Sequence, residues 1–144
     1  MKKDLSNIKK AKYLLDNNHC VAIPTETVYG LAANAYSDKA TSKIFKLKKR
    51  PKSNPLIVHY YRLQDLKKDC EINSNFQKLY SKFCPGPLTF VLKLKKESKI
   101  SKNVTNGKNT LAVRFPKNLA TKNLLSYLKY PLAAPSANIY TQLS

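Results

Sequence analysis

Short apolar runs of β-forming residues alternate along this chain with segments whose apolar positions recur every three or four residues, and few architectures accept that alternation. Leu5, Ile8, Ala11, Leu14 and Leu15 fall on one face of a helix. Asn17-Asn18 breaks the period, and the apolar Cys20 to Ile23 follows as a buried strand. Ser37-Asp38 is placed to cap a second helix carrying Ala40, Ile44, Phe45 and Leu47, which ends before Pro51. Leu56 to Tyr60 reads as a strand, Leu63 to Lys68 and Ser74 to Phe83 as helices, and Leu88 to Leu94 and Thr110 to Val113 as strands. Leu119 to Leu128 reads as a helix and Leu132 to Ala134 as a short strand, whereas the polar Lys95 to Asn109, with Gly107 near its end, reads as a loop. The expected fold class is α/β, a single domain whose sheet is mixed because Leu88 to Val113 can supply antiparallel neighbours.

A length of 144 residues with 42% hydrophobic content suits one domain with a substantial core. No stretch approaches the roughly 20 apolar residues of a spanning helix, and no apolar run follows the lysines of the N-terminus. The expectation is a cytoplasmic protein without a membrane partner. Cys20, Cys70 and Cys84 are odd in number and widely spaced, and His19 and His59 are the only histidines. Neither a disulfide framework nor a metal-ligand spacing is present in that pattern, so reduced thiols and no bound metal are expected. His19-Cys20 is read as a helix-to-strand junction.

The formal charge of +19 favours a polyanionic partner, such as tRNA or double-stranded RNA. Arginine stands only at positions 50, 62 and 114 among the 27 basic residues, a skew toward lysine that an A/T-rich coding sequence would also produce. Composition leaves both explanations open.

Several short motifs carry the chemistry. Pro24 to Gly30 leaves a buried strand with two hydroxyls, a carboxylate and a glycine at an expected turn, and serves equally as a polar-ligand loop or a helix N-cap. Lys48 and Arg50 combine a compact charge with a planar fork of donors, which suits a triphosphate and equally a solvated helix end. His59 closes an apolar strand, and Arg114 follows the apolar Leu111-Ala112-Val113, where it must meet an anion or remain at an edge. Pro85-Gly86-Pro87-Leu88-Thr89 reads as a mainly architectural turn. Ala134-Pro135-Ser136-Ala137-Asn138 sets small residues after a strand, where a ligand can approach the backbone. With glycine only at 30, 86 and 107 and no GxxxxGK[ST], a P-loop is excluded.

In this order the motifs, with Lys48-Lys49-Arg50-Pro51, Asn54-Pro55-Leu56 and Val113-Arg114-Phe115-Pro116, resemble the YrdC/Sua5 family of threonylcarbamoyl-adenylate synthases. The resemblance implies a YrdC-like open twisted sheet with flanking helices over residues 1–144. It implies a nucleotidyltransferase that makes threonylcarbamoyl-AMP and pyrophosphate from L-threonine, bicarbonate and ATP, with Mg²⁺ accompanying ATP, for the t6A37 modification of tRNA. By the same resemblance Thr27, His59, Arg114 and Ala134 lie at the threonine. Lys48, Arg50, Asn54, Thr110, Ser136 and Ser144 lie at the ATP, with Lys48 and Arg50 as the catalytic cations. A threonylcarbamoyl-transferase would receive the product.

The sequence departs from the family at Cys84, where many relatives carry an aromatic residue, and at its end. In the family a further stretch follows the S-A-N motif, so a C-terminally short form is expected here, with Ser144 at the serine of a following S-P-T. The alternatives are a non-catalytic RNA-binding module or an inactive, partial remnant of the same fold. A domain like that of the hydrogenase-maturation carbamoyltransferases is disfavoured by the absence of zinc-finger cysteines.

Overall fold

The computed structural model describes residues 2–24, 29–48 and 55–135. Its elements run α1 (Lys2–Asp16), β1 (Val21–Pro24), β2 (Tyr29–Asn34), α2 (Asp38–Lys48), β3 (Ile57–His59), α3 (Leu63–Leu66), α4 (Ser74–Phe83), β4 (Phe90–Lys93), α5 (Lys102–Thr105), β5 (Thr110–Arg114), α6 (Leu119–Ser126) and β6 (Leu132–Ala134). Short polar side chains set the helix starts. Ser37 Oγ accepts from the Ala40 amide at 3.0 Å, Asn73 from Phe76 at 2.8 Å and Asn118 from Thr121 at 3.2 Å, each satisfying an amide that the first helical turn leaves unpaired.

Among the described residues the strands form one six-stranded sheet in the order β1-β2-β6-β3-β5-β4. Strands β3 and β5 run parallel and every other pair antiparallel, so the mixed α/β architecture expected from the sequence is the one that forms. On one face Ala33, Val58, Leu111, Val113, Phe90 and Ala133 pack with Ile44 and Phe45 of α2, Leu66 of α3, Phe76 of α4 and Val104 of α5. On the other, Ile23, Ala32, Leu132 and Ala134 pack with Leu15 of α1 and Leu124 and Leu125 of α6. Helices thus cover both faces. Each fully buried leucine, isoleucine or valine contributes about 1.5–3 kcal/mol, so the central strands hold the layers together.

One carboxylate braces the first core. Asp69 is buried and accepts from the hydroxyls of Tyr60 at 2.7 Å, Tyr36 at 2.8 Å and Ser98 at 2.7 Å. Burial, and then the charge of Asp69, push both phenols well above their ordinary value, so they remain donors.

Three details differ from the sequence reading. Tyr29–Asn34 is a strand, although its glycine and alanines are weak β-formers; Ala32 and Ala33 are wholly buried between the helical layers, and packing overrides propensity. Gly30 therefore lies opposite Ile23 in a ladder rather than at a turn, while Thr25 lies outside the described residues. Within the expected loop 95–109, Ser101 caps the single turn α5 by accepting from the Asn103 amide at 3.2 Å, and Val104 is wholly buried. The helix expected to Lys68 ends at Leu66.

The three cysteines are free, as expected. Among the described residues no helix is long and apolar enough to cross a membrane.

Candidate active site

Cross-strand register decides which predicted residues share a face, because residues directly opposite one another project to the same side of a sheet. Arg114 stands opposite His59, and His59 opposite Leu132. Ala112, Ile57 and Ala134 form the next row, with Val91 of β4 at its end, and Thr110 stands opposite Lys93. His59, Thr110, Arg114 and Ala134 are therefore brought to one face. Toward β4 that face is open: Val91 is 69% exposed, Thr110 is exposed, and Ala112 and Arg114 are half-buried. Toward β6 it is closed, and Ala134 is wholly buried with Leu132 beneath α1 and α6.

Arg114 has its guanidinium oriented by a residue that the sequence reading treated as architectural. Its Nε and Nη2 donate to Thr89 Oγ1 at 3.0 and 2.5 Å. Thr89 stands one residue before β4, in register with Arg114, which is why its hydroxyl meets the fork. The signal in the sequence was a threonine at the start of a strand antiparallel to the arginine-bearing one, and it required the register to be read.

His59 is 3% exposed, and its Nδ1 is buried without a hydrogen-bond partner among the described residues. Burial, and then the adjacent Arg114 charge, push its imidazole down to about 4, against an opposing pull from the backbone of Leu132 and Ile57. It is neutral at physiological pH and presents a desolvated ring nitrogen beside a cation. Such a group binds and orients a polar ligand atom; it does not supply a positive charge.

The topology also gathers the segments that flank this face. β1 ends at Pro24, β2 begins at Tyr29, β3 begins at Ile57, β5 begins at Thr110 and β6 ends at Ala134, and their registers put all these positions at one end of the sheet. Lys48 is the exposed last residue of α2. Thr27, Arg50, Asn54, Ser136 and Ser144 lie outside the described residues.

The family model for Sua5, YciO and YrdC proteins, described as Telomere recombination, matches residues 13–144. The chain belongs to this family. Proteins named threonylcarbamoyl-AMP synthase from Pyrococcus abyssi and Bacillus subtilis are each 42% identical to it over 135 residues, which cover 92% of this chain and 38% of the relative. The crystal structure of P. abyssi Sua5 complexed with L-threonine matches with a TM-score of 0.86 at 40% identity, over 93% of this chain and 39% of that one. The family member described here therefore spans well under half the length of these relatives.

Proposed function

We propose that this chain carries the substrate site of a threonylcarbamoyl-AMP synthase, which joins L-threonine, bicarbonate and ATP for t6A37 modification of tRNA. The observation that carries this reading is the common facing of Arg114, His59 and Thr110, in a chain 42% identical to proteins named for that reaction. The threonine amine and bicarbonate condense to a carbamate with loss of water. A carbamate oxygen then attacks the α-phosphorus of ATP, the bond from that phosphorus to the bridging oxygen breaks, and pyrophosphate leaves.

Both partners in that attack are anions, so positioning and charge neutralisation matter more than a dedicated base. In this reading Arg114, steadied by Thr89, holds the threonine carboxylate through its planar fork. Neutral His59, Thr27 and Ala134 complete the amino-acid site. Lys48 and Arg50 neutralise the phosphates and carry the catalysis, with Asn54, Thr110, Ser136 and Ser144 toward the nucleotide. Among the described residues no group of three or more His, Cys, Asp or Glu could hold a metal ion. In this reading Mg²⁺ would accompany ATP and be held mostly by phosphate oxygens and water, as Mg²⁺ with a nucleotide commonly is. A threonylcarbamoyl-transferase would take the adenylate onward.

The test is pyrophosphate release from ATP by the 144-residue chain, with Lys48→Ala and Arg114→Ala variants. Release that requires both threonine and bicarbonate, with weakened ATP binding in the first variant and weakened threonine binding in the second, is the expected result. A folded chain that releases no pyrophosphate refutes the synthase reading. The net charge of +19 favours a second reading, a non-catalytic RNA-binding module, for which RNA binding would be indifferent to ATP and threonine.

A further inference from the structure

At the end of the sheet where β2 and β3 stop and β6 starts, just beyond the row of His59 and Leu132, lies a cavity of about 330 Å³ whose lining residues the synthase reading does not use. Its walls come from the residues just after β2 and β3 and just before β6, chiefly Tyr36, Tyr61 and Tyr130, and its rim carries Arg62, Lys68 and Lys129. The volume falls at the lower end of the roughly 300–1,000 Å³ of small-ligand sites.

Two of the tyrosines are fixed from behind. Tyr36 donates its hydroxyl to Asp69 at 2.8 Å and Tyr130 to Asp16 at 2.5 Å. Those carboxylates are occupied elsewhere as well, Asp69 by Tyr60 and Ser98 and Asp16 by Lys12 at 2.6 Å. With their polar ends tied back, these side chains offer ring surface to the cavity and have little freedom to lose when something packs against them. Tyr61 is 43% exposed and adds a third ring at the mouth.

The charges are equally one-sided. Asp65 is the one acid of the lining and pairs with Arg62 at 3.4 Å. Lys68 and Lys129 are exposed; neither has a salt bridge or side-chain hydrogen bond among the described residues, and the nearby Asp16 charge attracts Lys129 only through space. Ring surface inside and two cations at the edge suit a ligand that is planar at one end and anionic at the other.

We propose that this cavity binds a nucleotide unit, with its base against the tyrosine rings and its phosphate at Lys68 and Lys129. The unit can come from single-stranded RNA or from a free nucleotide. The inference goes beyond the synthase reading and does not depend on it, because none of the residues lining the cavity has a part in the threonine or ATP site of that reading.

The experiment measures binding of fluorescein-labelled oligo(A) and of AMP to the full chain. It uses Tyr61→Ala, the double variant Lys68→Ala/Lys129→Ala, and the control Lys78→Ala/Lys82→Ala, which removes equal charge from α4. Tyr61→Ala is expected to weaken oligo(A) by roughly 5- to 150-fold, the usual range for losing one base–aromatic stack. The Lys68/Lys129 variant should flatten the slope of log affinity against log salt by about 0.7, one single-strand phosphate contact, while the control leaves affinity and slope near those of the wild type. AMP that binds alone and competes with oligo(A) identifies a free-nucleotide site, and oligo(A) binding without AMP competition identifies an RNA site; both support the proposal. Absence of binding by either probe, an unchanged affinity in Tyr61→Ala, or an equal loss in the α4 control overturns it. Pyrophosphate release should be the same in all three variants, so this proposal and the synthase reading fail separately.

Discussion

Protonating His59 provides a quantitative check on the environment of the open face. The folded-state value of about 4 lies below the ordinary 6.5, so between those values the unfolded chain binds more protons than the folded one. Stability is then complete above the unfolded value and is lost as pH falls through the window toward the folded one. At about pH 4.5 the unfolded form is almost fully protonated at this site while the folded form is mostly neutral, which amounts to roughly 2–3 kcal/mol lost relative to about pH 7.5. Acidic groups titrate in the same range, so the measurement must isolate this one. Urea denaturation of the wild type and of His59→Asn at both pH values does so. The wild type should lose roughly 2–3 kcal/mol more than the variant between the two conditions, whatever His59→Asn does to stability at neutral pH. Equal losses in the two proteins would refute the argument, because His59 would then be solvated or paired in the folded state.

Thr89→Val removes the hydroxyl that accepts from Arg114 while keeping the shape and the β preference of the side chain. A hydrogen bond to a charged group contributes about 1.5–3 kcal/mol, so threonine affinity measured by calorimetry should fall roughly 10- to 100-fold, and Thr89→Ser should restore it. Unchanged affinity in Thr89→Val would make Thr89 a bystander. Gly86→Ala would put a β-carbon 2.8 Å from the Phe83 carbonyl oxygen, at a residue whose amide is already pinned to Phe115 at 2.8 Å. A backbone shift is the only relief, so urea denaturation should show a loss of about 1–3 kcal/mol, and a neutral substitution would show that this turn yields easily.

Much of the fold was legible because periodicity and burial coincide. The helical spacing of Ile8, Ala11, Leu14 and Leu15 matches α1, and the β-rich Leu56 to Tyr60 contains β3. Strand β2 was not legible, since Tyr29–Asn34 contains a glycine and two alanines whose role is to admit helices close to the sheet rather than to favour extended backbone. Helix α5 was hidden in a polar stretch because one buried valine and one capping serine are enough to order a single turn there. At the candidate site the residue types could be read along the chain, and the facing of His59, Thr110, Arg114 and Ala134 follows once the register is known. The contact between Thr89 and Arg114 could not be read, because it joins residues 25 positions apart through a strand pairing that no local pattern specifies.

The position of β6 has a consequence for how the molecule is made. The hairpin β1–β2 and the group β3–β5–β4 share no ladder; each pairs only with β6, whose residues 132–134 are the last strand of the described chain. During synthesis roughly 100 residues separate the completion of β2 from the arrival of β6, about 5–20 s at ordinary translation rates. Through most of that interval the hairpin β1–β2 waits alone, and once β5 is complete at Arg114 the nascent chain holds two half-sheets whose inner edges await β6. Its most aggregation-prone moment is set by the ribosome, and slow decoding ahead of residue 132 would prolong it.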